Sequence, residues 1–120
     1  MYRNFTIIKK NKTIAVISSL TLIVLCCKSP DYLVPGSKDV TNAQKRWGAS
    51  TTLTQLKDGY DLYMDKCTHC HGLKGPLKKT EEQWTQIMHI MGRKAKLDSN
   101  QYNLVLHYII VKRETMLAAK

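Results

Sequence analysis

Apolar residues in the second half of the chain recur every three or four positions, a spacing that places them on one face of an α-helix. Three segments show this pattern. The first, residues 52–66, carries Leu53, Leu56, Tyr60, Tyr63 and Met64; the second carries Trp84, Ile87, Met88 and Met91; the third carries Tyr102, Val105, Leu106, Ile109 and Ile110. No segment alternates apolar and polar residues over a useful length, as a half-buried strand does. The pattern therefore predicts an all-α fold.

Two of these helices have recognisable starts. Residues 80–83 (Thr-Glu-Glu-Gln) form a capping box, in which the threonine hydroxyl and the glutamine side chain satisfy each other's backbone N–H groups. Residues 98–101 repeat this arrangement with aspartate as the first residue. The first of the two helices is predicted to end near Met91, with Gly92 as its stop. The second is predicted to run to about Glu114.

The N-terminal residues differ in character from the rest of the chain. Residues 1–12 contain four basic and no acidic residues, and residues 13–27 are almost entirely apolar. This order is typical of a secretory signal peptide. The apolar run is shorter than the roughly twenty residues that a membrane-spanning helix needs.

The apolar run closes on Leu25-Cys26-Cys27 and resembles a bacterial lipoprotein signal. Cleavage before Cys27 leaves the small Cys26 at the last position of the signal, whereas cleavage before Cys26 leaves the bulky Leu25 there. We therefore predict a signal peptide at 1–26 and lipidation of Cys27, on the periplasmic side of a bacterial membrane. An ordinary signal peptide and a retained membrane anchor are the alternatives.

Residues 27–50 are predicted to form a tether and a short N-terminal helical turn, followed by one domain at 51–120. Two prolines and a glycine within residues 28–40, without any hydrophobic period, favour the tether. Four of the 19 basic residues lie in the predicted signal, so the mature chain carries 15 basic and nine acidic residues, a net charge of +6. This moderate excess suits an acidic protein partner or anionic lipid. Without a dense basic run, it does not favour nucleic acid.

The most specific motif is Cys67-Thr68-His69-Cys70-His71, the C-x-x-C-H signature of covalent haem attachment. Two thiols on about one helical turn can each bond to one of the two vinyl groups on one edge of a porphyrin. The adjacent His71 can then give its imidazole to the iron. We predict one haem c held by Cys67, Cys70 and His71.

Two other readings of the motif were weighed. A structural zinc site needs four ligands, and no second cysteine pair or spaced histidine pair follows. A thioredoxin-like dithiol requires a βαβ context, which the helical pattern does not offer. The other two cysteines lie in the signal region, so no disulfide framework is expected.

From about residue 43 to 108, the chain resembles the small monohaem class I cytochromes c. Gly59 and Tyr63 precede Cys67 by eight and four residues, and residues 105–108 (Val-Leu-His-Tyr) look like the family's apolar-x-x-Tyr partner on the last helix. Trp84 and Met91 resemble the Trp-x-x-Ile-x-x-x-Met helix of short bacterial members. The resemblance implies three to four helices around one covalent haem, with the first and last helices crossing closely.

The resemblance also implies a sixth, methionine ligand to the iron. Met91 is the first choice, because it shares the helical face of Trp84 and precedes the predicted stop at Gly92. Met88 is the second choice, on the same face. Met64 is expected in the core and His89 in solvent. His69 and His107 are not expected to be ligands.

The function implied is that of a membrane-tethered electron carrier, not an enzyme, since no acid, base or nucleophile constellation is present. Its partners would be redox proteins with an acidic docking surface, steered by lysines around the haem; an ordinary solvated surface explains the same lysines. A haem-based gas or peroxide binder, and a haem relay subunit of a larger respiratory or dehydrogenase complex, are the alternatives.

Overall fold

The computed structural model describes residues 30–120, and within that range the chain is helical without strands. Four helices of ten or more residues are joined by shorter helical turns. They are α1 (Ser37–Trp47), α2 (Leu53–Leu62), α4 (Glu81–Lys94) and α5 (Ser99–Ala118), with the single turn α3 (Thr68–His71) between α2 and α4. The predicted all-α class is thereby confirmed. None of the described helices is long and apolar enough to cross a membrane.

The core is organised around the crossing of α2 and α5. Gly59 lies at this crossing, where an added Cβ would overlap the carbonyl oxygen of Leu104 and come within 2.9 Å of the Tyr108 Cβ. Absence of a side chain therefore lets the two backbones approach closely, as expected for this glycine. The rings of Tyr60 and Tyr63 pack against Tyr108, with centroids 5.5 and 5.9 Å away.

Both predicted capping boxes are present at the starts of α4 and α5. The prediction that Gly92 stops α4 is wrong, because the helix continues to Lys94. Gly92 is buried inside the helix, and a Cβ there would lie 2.9 Å from the Tyr102 ring. The backbone turns instead at Lys96, which has a positive φ of 54°. The last helix also extends beyond Glu114, to Ala118.

The structure corrects the prediction that residues 27–50 form a tether and a short N-terminal turn. Within the described part of this range, Leu33 is fully buried and its carbonyl oxygen accepts a hydrogen bond from the Tyr108 hydroxyl at 2.9 Å. In α1, Asp39 is buried in an ion pair with Lys112 at 3.0 Å. Apolar side chains of α1 complete a second cluster with α2 and α5. The folded unit therefore begins near Leu33 rather than at residue 51. The predicted signal at 1–26 and Cys27 lie outside the described residues.

Candidate cofactor site

The Cys-x-x-Cys-His motif lies on one continuous helical path. Beyond α2 the backbone widens into a π-turn, Tyr63–Cys67, which leads directly into α3. This geometry brings Cys67, Cys70 and His71 to the wall of a single cavity of about 420 Å³. Cys67 is partly buried, whereas Cys70 and His71 are exposed. The cavity volume is within the usual range for small-molecule and cofactor sites.

Other helices complete the lining with apolar side chains. Helix α4 contributes most of them, and α5 adds one. These residues are Trp84, Ile87, Met88, Met91, Ala95 and Ile109. The Met88 side chain is 2 % exposed, and Met91 is partly exposed. Both predicted sulfur ligands therefore line the same cavity as His71.

The remaining histidines and Met64 are not part of the lining. Met64 packs against the hydrophobic core, and His69 and His89 are exposed, as expected. His107 stacks on Trp47, with ring centroids 4.0 Å apart. Sequence analysis did not foresee this stack.

Two aromatic side chains fix the loop that follows His71. The Tyr63 hydroxyl donates a hydrogen bond to the Lys74 carbonyl oxygen, and Trp84 Nε1–H donates to the Pro76 carbonyl oxygen at 2.8 Å. Neither bond could be predicted from the sequence, because no hydrophobic periodicity links residues 8 and 11 positions apart. Through these bonds the π-turn after α2 and helix α4 hold the lysine-rich loop in place.

Burial controls the ionisation of the groups beside the motif. It raises the pKa of the Cys67 thiol above its usual value. It also raises the pKa of Tyr63 to about 12, with a contribution from the neighbouring Cys67 charge. Reactive dithiol pairs depend on a lowered thiol pKa. The environment of Cys67 acts in the opposite direction and disfavours the dithiol alternative.

The rim of the cavity is strongly cationic. Five lysines line it, and no aspartate or glutamate does: Lys66, Lys74, Lys78, Lys79 and Lys94. All five lysines are exposed to solvent. An apolar interior with a positive rim suits a flat apolar group that carries anionic substituents.

These residues fit a covalently bound haem: two thiols and an imidazole on one wall, an apolar slot, and thioether sulfurs on the facing helix. Among residues 30–120, no three or more histidine, cysteine or acidic side chains converge as a metal-binding group. Comparison with protein-family models, with curated proteins and with solved structures finds no match for this chain.

Proposed function

We propose that this chain is a monohaem c-type cytochrome that carries electrons. One observation supports this proposal above all: a single apolar cavity is lined by both thiols and the imidazole of the C-x-x-C-H motif and, from α4, by Met88 and Met91. The order of these residues along the sequence does not by itself require that they line one cavity. The packing of α4 against α5, and of Trp84 against Tyr63, brings it about.

Each residue has a distinct part in the proposed site. The Cys67 and Cys70 thiols would hold the haem covalently, each through one thioether bond to a former vinyl group. His71 would bind the iron through an imidazole nitrogen and Met91 would bind it through its sulfur, with Met88 as the second choice. A bound haem supplies an iron that takes up and releases one electron. The apolar lining limits water around it, and thereby influences the reduction potential.

The surroundings support a carrier that docks on acidic redox proteins. The exposed lysines at the rim surround the cavity with positive charge, which accelerates encounters with an acidic surface. We place the protein on the periplasmic side of a bacterial membrane, held there by a lipid on Cys27.

Haem attachment tests the proposal directly. The purified mature protein should retain its haem through acid–acetone extraction and give a c-type pyridine haemochrome spectrum. Replacing Cys67 and Cys70 together with Ala should abolish covalent haem. His69→Ala is the matched control, because His69 lies inside the motif but outside the cavity lining, and it should load fully. Stoichiometric zinc and no haem in the native protein would overturn the proposal.

A further inference from the structure

The first described residues, 30–34, form a turn whose backbone is fixed to helix α5. Leu33 is fully buried, and its carbonyl oxygen accepts a hydrogen bond from the Tyr108 hydroxyl at 2.9 Å. The next carbonyl oxygen, that of Val34, accepts from Lys112 Nζ, also at 2.9 Å. Because two successive carbonyls are bonded to the same helix, the turn is held as a rigid part of the folded unit.

Two large hydrophobic side chains on this turn face solvent. Tyr32 is 57 % exposed and Val34 is 39 % exposed, on either side of the buried Leu33. The other exposed large hydrophobic side chains among residues 30–120 lie singly on separate segments: Leu53, Leu73, Ile90 and Leu117. Single exposed apolar residues are ordinary on a protein surface. Two on one short turn, fixed so that they do not exchange places with Leu33, indicate a contact outside the folded unit.

The place of the turn in the chain indicates what covers these side chains. Tyr32 follows Cys27 by five positions. A lipid on Cys27, part of the proposed function on which this inference rests, would hold Tyr32 within about 18 Å of the anchored residue. A tyrosine suits the bilayer interface, because its ring can enter an apolar layer while its hydroxyl stays in water. The exposed Asp31 carboxylate beside it stays in water as well, which keeps the contact shallow.

We propose that Tyr32 and Val34 contact the interface of the phospholipid bilayer and give the folded unit one orientation on the membrane. The turn that carries them is bonded to α5, and Ile109 of the same helix lines the cofactor cavity. The contact therefore sets the direction of the cavity relative to the membrane. Without it, the folded unit would rotate freely about the lipid-bearing residue.

Tyrosine labelling tests this contact on the lipidated protein, added to the outside of phosphatidylcholine vesicles. Diazobenzenesulfonate is a charged reagent that modifies tyrosines exposed to water, and peptide mass spectrometry measures its rate at Tyr32. The soluble Cys27→Ser variant gives the rate without a membrane. Tyr32 of the vesicle-bound protein should react about tenfold more slowly, the factor that corresponds to an insertion free energy of about 1.4 kcal/mol.

Two substitutions at Val34 test whether the apolar contact itself protects Tyr32. Val34→Gln removes an apolar side chain from the surface without adding a charge. It should raise the labelling rate of Tyr32 on vesicles towards the rate of the soluble protein. Val34→Leu keeps the side chain apolar and should leave the rate low. Equal rates on vesicles for the two variants would contradict a contact through Val34.

Ile90→Tyr is the control for general shielding by the vesicle. Ile90 is 46 % exposed and lies two positions from the buried Met88, so it faces away from the cluster that contains Leu33. The tyrosine introduced there should react equally fast with and without vesicles. Protection at both positions, or equal labelling of Tyr32 in the bound and soluble proteins, overturns the inference and leaves the anchor and the haem site intact. A native protein found outside membranes overturns the anchor itself.

Discussion

Two methionines on α4 illustrate how single residues decide the properties of the proposed site. Met88 is nearly fully buried and belongs to the hydrophobic core, whereas Met91 is partly exposed at the cavity. Gly92 does not stop α4, which continues to Lys94, but Met91 still lies in the last turn of the helix, near its end. Support for Met91 now comes from its position on the lining and from the family resemblance.

Replacing each methionine in turn with alanine distinguishes the proposed iron ligand from the core residue. Met91→Ala in the haem-loaded protein should abolish the weak sulfur-to-iron absorption band of the oxidised form, lower the reduction potential and admit carbon monoxide to the reduced iron. Met88→Ala should retain the band and lower the free energy of unfolding by about 2–5 kcal/mol. If Met88→Ala alone removes the band, Met88 is the ligand. Immediate carbon monoxide binding by the native protein favours a gas binder.

His107 is a second residue with a measurable consequence. Burial, and then the charge of Arg46, lower its pKa from the usual 6.5. As the pH falls through 6.5, the unfolded chain therefore takes up a proton before the folded protein does. The contribution of His107 to stability is complete above 6.5 and is lost as the pH falls towards its folded pKa.

Denaturant unfolding at several pH values tests this effect. His107→Phe keeps an aromatic ring against Trp47 but cannot titrate, so it should lose less stability than the native protein between about pH 7 and 5. His89→Gln is the control, because His89 is exposed, and it should follow the native pH profile. Identical profiles for His107→Phe and the native protein would contradict the prediction.

At the scale of elements, a buried ion pair fastens α1 to α5. Lys112 Nζ donates to an Asp39 carboxylate oxygen at 3.0 Å and to the Val34 carbonyl at 2.9 Å. The same carboxylate oxygen accepts from the Gly36 amide at 2.7 Å. Asp39 and Lys112 are 2 % and 7 % exposed. Removing either charge therefore leaves the other buried without its partner.

Lys112→Met should destabilise the protein by about 3–5 kcal/mol, because the Asp39 carboxylate remains buried without a cation. The double variant Asp39→Asn/Lys112→Met removes both charges and should be more stable than Lys112→Met alone. Urea unfolding of the haem-loaded proteins measures both. A Lys112→Met variant as stable as the native protein would show that the N-terminal segment is not held by this pair.

The features predicted correctly from the sequence are those that depend on only a few neighbouring residues. The two capping boxes act over three residues, and each is formed. Only a short helical turn was predicted within residues 31–47. Their packing against α5 was not predicted, because it depends on contacts more than seventy residues away along the chain, such as Tyr108 to Leu33. In the sequence, Gly92 looks like a glycine that ends a helix. The structure shows instead that the Tyr102 ring packs against it.

The candidate site likewise combines a local sequence motif with features that depend on tertiary packing. The C-x-x-C-H motif is local, and it identifies Cys67, Cys70 and His71 from the sequence alone. That Met88 and Met91 face these residues across one cavity depends on tertiary packing. The bonds from Tyr63 and Trp84 to loop carbonyls also join distinct segments. No hydrophobic periodicity in the sequence indicates these two bonds.

At the scale of the whole molecule, the folded start at Leu33 shortens the predicted tether. Leu33 follows Cys27 by six positions, and even a fully extended chain of that length spans at most about 20 Å. A lipid on Cys27 would therefore hold the folded unit close to the membrane surface. The mature net charge of +6 adds an attraction to anionic head groups.

Lipidation at Cys27 predicts how the protein divides between membrane and soluble fractions. Cys27→Ser should release the mature protein from membranes, because it removes the only predicted acylation site. Cys26→Ser should remain membrane-bound, since Cys26 is removed with the signal. Metabolic labelling with a fatty acid, followed by fractionation, measures both outcomes, and label should be absent only from Cys27→Ser. A soluble native protein whose N-terminus lies at residue 28 or later would contradict the anchor while leaving the haem site untouched.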